Sequence, residues 1–195
     1  MLSRTFLWPQ GYTSAAMISV NLDAEFYGRI FYPGIDVSEG DIQRLGWTGM
    51  EYGLPHLLDC FREHGVKGTF FIPGRVAELY PDAVRAIADA GHELGCHGYE
   101  HEILAHFTPE EQLELLKKAK AAIEKAAGRA VTGFRMPEGE ITEQTLVAAK
   151  EAGFAYSSSL SNTDVPYIRQ PAGLPELPIS WTLFALPYFT FAFDP

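Results

Sequence analysis

At 195 residues, 47% hydrophobic and 21% charged, the chain has the make-up of one globular domain with a sizeable core. A net charge of −10, with no block of five or more lysines and arginines, excludes a nucleic acid or an anionic membrane as the expected partner. The opening MLSRTFLWPQGYTSAAMISV lacks an apolar core followed by a small-residue cleavage site, and no run approaches the roughly 18 apolar residues of a membrane span. Cys60 and Cys96 read as two buried thiols rather than a disulfide framework, so the expected compartment is the cytoplasm.

AAMISVNLD (15–23) is a short β-prone run that ends in polar residues. LPHLLDCFREHG (54–65) places Leu54, Leu57, Leu58 and Phe61 on one helical face and stops at Gly65. VKGTFFIPG (66–74) has the length and composition of a buried strand, and PDAVRAIADAG (81–91) has proline at a helix start and glycine past its end. A strand over about 92–97 follows. TPEEQLELLKKAKAAIEKAAG (108–128) carries the strongest helix signals: a Thr108/Glu111 capping box, Pro109 in the first turn and Gly128 as the stop. AVTGFRMP (130–137) is strand-like, TEQTLVAAKEAG (142–153) is a threonine-capped helix, and FAYSSS (154–159) and ELPIS (176–180) complete the strands. Strands alternating with helices imply a parallel sheet, either open and doubly wound or a (β/α) barrel. The Rossmann fingerprint is absent, and about six strands fall short of a complete barrel. The last stretch, TLFALPYFTFAFDP, is apolar enough to need a cover.

In parallel α/β folds, functional side chains gather at the carboxyl ends of strands. Asp23, His97 and Arg135 fall at such ends, and His101 lies four residues past His97, where one helical turn brings both rings to one side. One carboxylate and two imidazoles make a three-ligand set for zinc or a similar divalent ion, leaving a position for water. His56 and His64 read as helix-surface residues, and His92 and His106 lack a comparable setting.

Five pieces then occur in a familiar order: VNLDAE (20–25), KGTFFIPG (67–74), AGHELGCHGYEHE (90–102), GFRMPEGE (133–140) and LPELPISW (174–181). Together they make the chain resemble the polysaccharide deacetylase family, also known as NodB-homology or carbohydrate esterase family 4. The branch it looks closest to includes peptidoglycan-deacetylase-like proteins, cyclic-imide hydrolases and cofactor-independent allantoinases. The resemblance implies a NodB-like distorted (β/α) barrel and a single catalytic domain over residues 1–195. It implies a divalent metal, expected to be zinc, on Asp23, His97 and His101. Arg135 would orient a catalytic carboxylate, Pro137 would shape the pocket beside it, and the Glu138 amide would face the oxyanion. Trp181 would wall the acyl pocket, with Tyr167 in an aromatic loop near the substrate ring.

Three departures accompany the likeness. The family's usual base is an aspartate directly before the metal-binding one, where this chain has Leu22. Asn21 and Glu25 share the face of Asp23 if the strand alternates, so Glu25 and Glu140 remain as candidate bases. No histidine follows His106 to serve as the family's late general acid. The chain therefore reads as an incomplete barrel, either cut short at its C-terminal end or completed by another subunit, and a homo-oligomer is expected. Phe184 and Ala185 stand where the family has an aspartate pair. The implied reaction is hydrolysis of a non-peptide amide, with an N-acetylated saccharide as substrate. A small cyclic amide (an imide or an allantoin-like ureide) and a non-catalytic carbohydrate-binding role are the alternatives.

Overall fold

The computed structural model describes residues 8–27, 44, 46–139, 141–160, 162–180 and 183. Seven strands form one sheet: β1 (Ser19–Asn21), β2 (Thr69–Ile72), β3 (Glu93–Cys96), β4 (Gly133–Phe134), β5 (Tyr156–Ser157), β6 (Tyr167–Arg169) and β7 (Leu174–Glu176). Their order is β1-β2-β3-β4-β5-β7-β6, parallel throughout except for the β6/β7 pair. A doubly wound sheet reverses its strand order at a switch point. From β1 to β5 each strand instead follows its predecessor, as in a (β/α) barrel, which decides between the two architectures left open above. Among the described residues the barrel is not closed.

The helices are α1 (Leu54–Glu63), α2 (Gly74–Leu79), α3 (Pro81–Asp89), α4 (Pro109–Ala127) and α5 (Glu143–Glu151). The α4 boundaries follow its signals: Glu111 N–H donates to Thr108 Oγ1 at 3.3 Å, Thr108 N–H donates to Glu111 Oε2 at 2.8 Å, and Gly128 is left-handed at φ 69°. Its buried face, Gln112, Leu116, Ala119, Ile123 and Ala127, has helical spacing and lies amid α2, α3 and α5. His56 and His64 are exposed, as expected, and so is Cys60; only Cys96 is a buried thiol. Cys60 lies outside the apolar stripe of α1, in which Leu54 and Phe61 are buried. None of the described helices is long and apolar enough to cross a membrane.

Two elements escaped the sequence reading. The helix α2 follows Pro73 directly, starting at the last residue of the expected 66–74 strand and filling a stretch to which no element was assigned, and is only six residues long. β6 forms an edge hairpin with β7, in which Ile168 pairs with Pro175. Prolines at 166, 171 and 175 mask both strands, because proline argues against a strand except at an edge. The last strand accordingly covers 174–176 rather than 176–180.

What positions the site is the period of two across the sheet. Asn21, Phe71, Gly95, Gly133 and Tyr156 are register partners in one row, so their side chains share a face. The other face carries Phe70, Ile72, Leu94, Cys96 and Phe134, which pack with Val84, Ile87, Leu116, Ile123 and Leu146 of the helices. Phe71 is fully buried yet stands apart from that cluster, because it points into the barrel. Gly95 makes room for it: a Cβ there would lie 2.5 Å from Phe71 Cδ1. Pairing continues one residue past the strands, through His97 N–H to Ile72 O (2.9 Å), Arg135 N–H to Cys96 O (2.8 Å) and Ser158 N–H to Phe134 O (2.9 Å). Two residues beyond the first row, His97, Arg135 and Ser158 therefore occupy the same inward face.

Candidate metal centre

Asp23, His97 and His101 converge, and their ligand atoms all lie within 4.8 Å of one another. His97 Nε2 stands 3.7 Å from Asp23 Oδ1, and His101 Nε2 stands 3.7 Å from Asp23 Oδ2. No helical turn joins the two histidines, contrary to expectation. A loop does so, with Gly98 at φ 73° and His101 at φ 61°. The Glu102 carboxylate accepts from Tyr99 N–H at 2.9 Å and Glu100 N–H at 2.5 Å. Gly98 O and Tyr99 O accept the first N–H groups of α2, from Gly74 (3.0 Å) and Arg75 (2.8 Å). Ala24, His101 and Glu138 are the three non-glycine residues with positive φ among those described, and each is a ligand or follows site residues directly. Strain of this kind persists only where the surroundings enforce it.

The electrostatics suit a cation. Burial pushes His101 down to about 4 and holds His97 well below the ordinary histidine range, the neighbouring His101 adding to the effect on His97. Both rings are therefore neutral at pH 7, and the 3.7 Å separations are not ion pairs. Burial, with the Glu138 charge adding to it and Arg135 opposing, raises Asp23 to about 7. His97 Nδ1–H donates to Arg135 O at 2.8 Å, which fixes the tautomer and leaves the Nε2 lone pair aimed at Asp23. Asp23 Oδ1, His97 Nε2 and His101 Nδ1 are buried without a hydrogen-bond partner. Orphaned buried polar atoms are costly and rare. Asp23 Oδ1 and His97 Nε2 face each other and His101 presents Nε2 to Asp23 Oδ2, so the three residues offer an O,N,N ligand set that fits a divalent ion.

This arrangement sets the proton balance of metal binding. Ligands must be deprotonated to bind. At pH 5.5 the imidazoles are already neutral, whereas the Asp23 carboxyl still holds its proton. Calorimetric zinc titration at that pH, in buffers of different ionisation enthalpy, is expected to release about one proton per ion, with affinity rising about tenfold per unit up to pH 6.5. Release of two or more protons would show that the histidines are charged and the burial argument wrong.

The family model for polysaccharide deacetylase matches residues 47–157, more than half of the chain. The chain belongs to the polysaccharide deacetylase family. A peptidoglycan deacetylase of Helicobacter pylori is 36% identical over 137 residues, covering 70% of this chain and 46% of that protein. A crystal structure from Mycobacterium smegmatis, assigned to the polysaccharide deacetylases, superposes with a TM-score of 0.83 at 36% identity, covering 91% of this chain and 63% of the other. The Puue allantoinase shares the fold, with a TM-score of 0.69 at 22% identity over 86% of this chain and 61% of its own. The chain spans less than half the length of the curated relatives it matches.

Several candidate site residues are placed differently from their expected roles. Arg135 is buried and holds no carboxylate among its hydrogen-bond partners. Its Nε donates to Ser158 O at 2.7 Å, Nη2 to Ser158 Oγ at 2.9 Å and Nη1 to Asn21 Oδ1 at 2.9 Å, with the guanidinium 4.1 Å from the Phe71 ring. Burial lowers it to about 10, with Tyr156, Glu176 and Asp23 opposing. The β1 residue that meets Arg135 is thus Asn21; Leu22 is buried with the apolar cluster, on the other face. Glu25 leaves the face of Asp23 because β1 ends at Asn21 and a 3-10 turn, Ala24–Tyr27, begins. Its carboxylate is buried and accepts from Tyr80 Oη at 3.2 Å. Glu138 is the carboxylate whose charge reaches Asp23, and desolvation raises its own pKa. Pro137 backs the histidine loop, against Gly98. Tyr167 sits in the edge strand β6, its hydroxyl on Asn162 at 3.1 Å, and no described contact joins it to the triad. Glu140 and Trp181 lie outside the described residues, as do Phe184 and Ala185.

The sequence reading missed the supports. Glu176 Oε1 accepts from Ser159 N–H (2.7 Å) and Leu160 N–H (3.0 Å), and Ser159 Oγ accepts from Met136 N–H at 3.0 Å. Glu176 therefore fixes the turn after β5 that grips Arg135, whose carbonyl in turn orients His97.

Proposed function

We propose that the chain carries the catalytic centre of a metal-dependent hydrolase that removes acetyl groups from N-acetylated sugar units of a polysaccharide. The observation that supports it is the buried Asp23–His97–His101 set with three unpartnered donor atoms, in a chain of the polysaccharide deacetylase family. Asp23, His97 and His101 would hold the ion, for which zinc suits two imidazoles and a carboxylate. When bound, such an ion polarises a carbonyl and acidifies a water molecule. His97 is kept in the ligating tautomer by Arg135 O. The Glu138 carboxylate, the charge nearest in effect to Asp23, takes the proton of the attacking water, and its backbone N–H serves the oxyanion. The raised pKa of Glu138 suits a group that accepts a proton and returns it to the leaving nitrogen. Glu25, committed to Tyr80, is assigned a structural role.

The decisive assay is acetate release from an N-acetylglucosamine oligomer by protein of known metal content. We expect turnover with about one divalent ion per chain, loss of activity on chelation, and recovery on adding zinc. Undiminished acetate release from protein shown to be metal-free would eliminate the mechanism. Ring opening of a cyclic imide, run in parallel, tests the cyclic-amide alternative, for which the allantoinase likeness shows the fold alone.

A further inference from the structure

On β1, two residues before Asp23 and on the same inward face, Asn21 meets the most constrained side chain of the site. Arg135 Nη1 donates to Asn21 Oδ1 at 2.9 Å. A guanidinium has donors only, so the amide oxygen must face it and the amide N–H2 must face away. Arg135 itself cannot swing. It is pinned by Ser158 through Nε and Nη2, lies against Phe71, and is backed by Glu176 through the 158–160 turn. The Asn21 amide is therefore oriented before anything binds.

The hydrogen bond that ties the Asn21 side chain to the described residues is the one its oxygen accepts from Arg135, and Asn21 is half-buried rather than sealed, which leaves its N–H2 open to a ligand. Asp23 Oδ1 and the two histidine nitrogens are orphaned in a way that suits a cation. An N–H2 group repels a cation and calls instead for an acceptor oxygen. A carboxylate at this position could only accept, so the amide selects the opposite kind of partner.

We propose that Asn21 is a specificity-determining residue, its side-chain N–H2 donating to an acceptor oxygen of the substrate, a hydroxyl or carbonyl oxygen close to the scissile amide. The proposal rests on the hydrolase reading for the identity of the ligand, and deepens it by assigning a donor to the β1 side of the site. Preorganisation by Arg135 means that little ordering is left to be done on binding. The same hydrogen bond to Arg135 gives Asn21 a structural part, and the test must separate the two.

Asn21→Asp keeps an oxygen for Arg135 and removes the N–H2; Asn21→Ala removes both. With an N-acetylglucosamine tetramer as substrate, Asn21→Asp is expected to raise KM by about tenfold or more, the equivalent of one lost hydrogen bond, while kcat changes by less than about threefold. Its thermal midpoint should match that of the parent protein. Asn21→Ala should show the same rise in KM together with a lowered midpoint. An Asn21→Asp variant with unchanged KM, or with raised kcat/KM, would overturn the proposal; the second result would mean that the position lacked a proton acceptor rather than supplied a donor. Calorimetric binding of the tetramer is independent of turnover. If the parent protein binds it without releasing acetate, the hydrolase reading fails, yet a Kd weakened about tenfold in Asn21→Asp still upholds the donor role. An unchanged Kd, or no binding by the parent protein, refutes that role.

Discussion

Alanine at position 97 is expected to strip the divalent ion from the protein and to lower kcat/KM for acetate release by more than about 100-fold. Partners that merely orient a metal ligand cost about 10- to 100-fold when removed, so a ligand itself must cost more. His97 is a strong test because it does two things with two nitrogens. Nε2 faces Asp23, and Nδ1–H satisfies Arg135 O at 2.8 Å. Alanine removes both, leaving a buried carbonyl unpaired at a cost of about 1–3 kcal/mol in fold stability. His97→Asn separates the effects, since the asparagine amide can reach the Arg135 carbonyl from about the place of Nδ1 while offering nothing at Nε2. Elemental analysis and thermal unfolding of the metal-free forms supply the readouts. We expect both variants to be metal-free, with the asparagine variant the more stable of the two. Stoichiometric zinc retained by His97→Asn would mean that the ion is held elsewhere.

How far the site could be read beforehand depended on the distance in sequence between cause and effect. The helix α4 announces itself within 21 residues through Thr108, Glu111 and Gly128, and strand–helix alternation implies a parallel sheet without any long-range contact. The triad was legible for a similar reason: strand ends are where polar residues of an α/β fold converge, and Asp23 and His97 stand at two of them. The mode of convergence was not. A spacing of four fits a helical turn, and equally fits a loop whose backbone turns left-handed at Gly98 and His101 and is gripped by Glu102. Nothing local distinguishes those cases except the glycine. The face of β1 was half legible. Alternation correctly groups Asn21 with Asp23, but it extends to Glu25 only if the strand continues, and the strand stops. Glu176 was beyond reach, since its effect on Arg135 passes through Ser158 and Ser159, just past a strand that pairs with a proline-masked hairpin.

Gly98→Ala is the substitution for which the loop geometry predicts damage far out of proportion to one methyl group. Gly98 has φ 73°, a conformation that costs an L-residue about 1–2 kcal/mol. The added Cβ would also lie 2.9 Å from Pro137 Cγ and 3.2 Å from Glu102 Oε1. Neither neighbour can yield cheaply. Pro137 is a buried ring one residue after Met136, whose N–H is held by Ser159 Oγ, and Glu102 Oε1 is the oxygen that accepts from Tyr99 N–H. Overpacking of this kind costs about 1–3 kcal/mol, so the expected loss of stability is about 2–5 kcal/mol. Relief is available chiefly by moving the loop, and the loop is the only covalent link short enough to set His101 against His97. Zinc affinity should therefore fall by about 10- to 100-fold, as it does when a ligand is misaimed rather than removed. Denaturant unfolding of the metal-free protein reads the first effect and competitive zinc titration the second. A variant destabilised as expected that bound zinc as tightly as the parent protein would show that Gly98 serves the packing of the loop alone, and that the pairing of the two histidines is set by the contacts of Tyr99 and Glu102 beyond it.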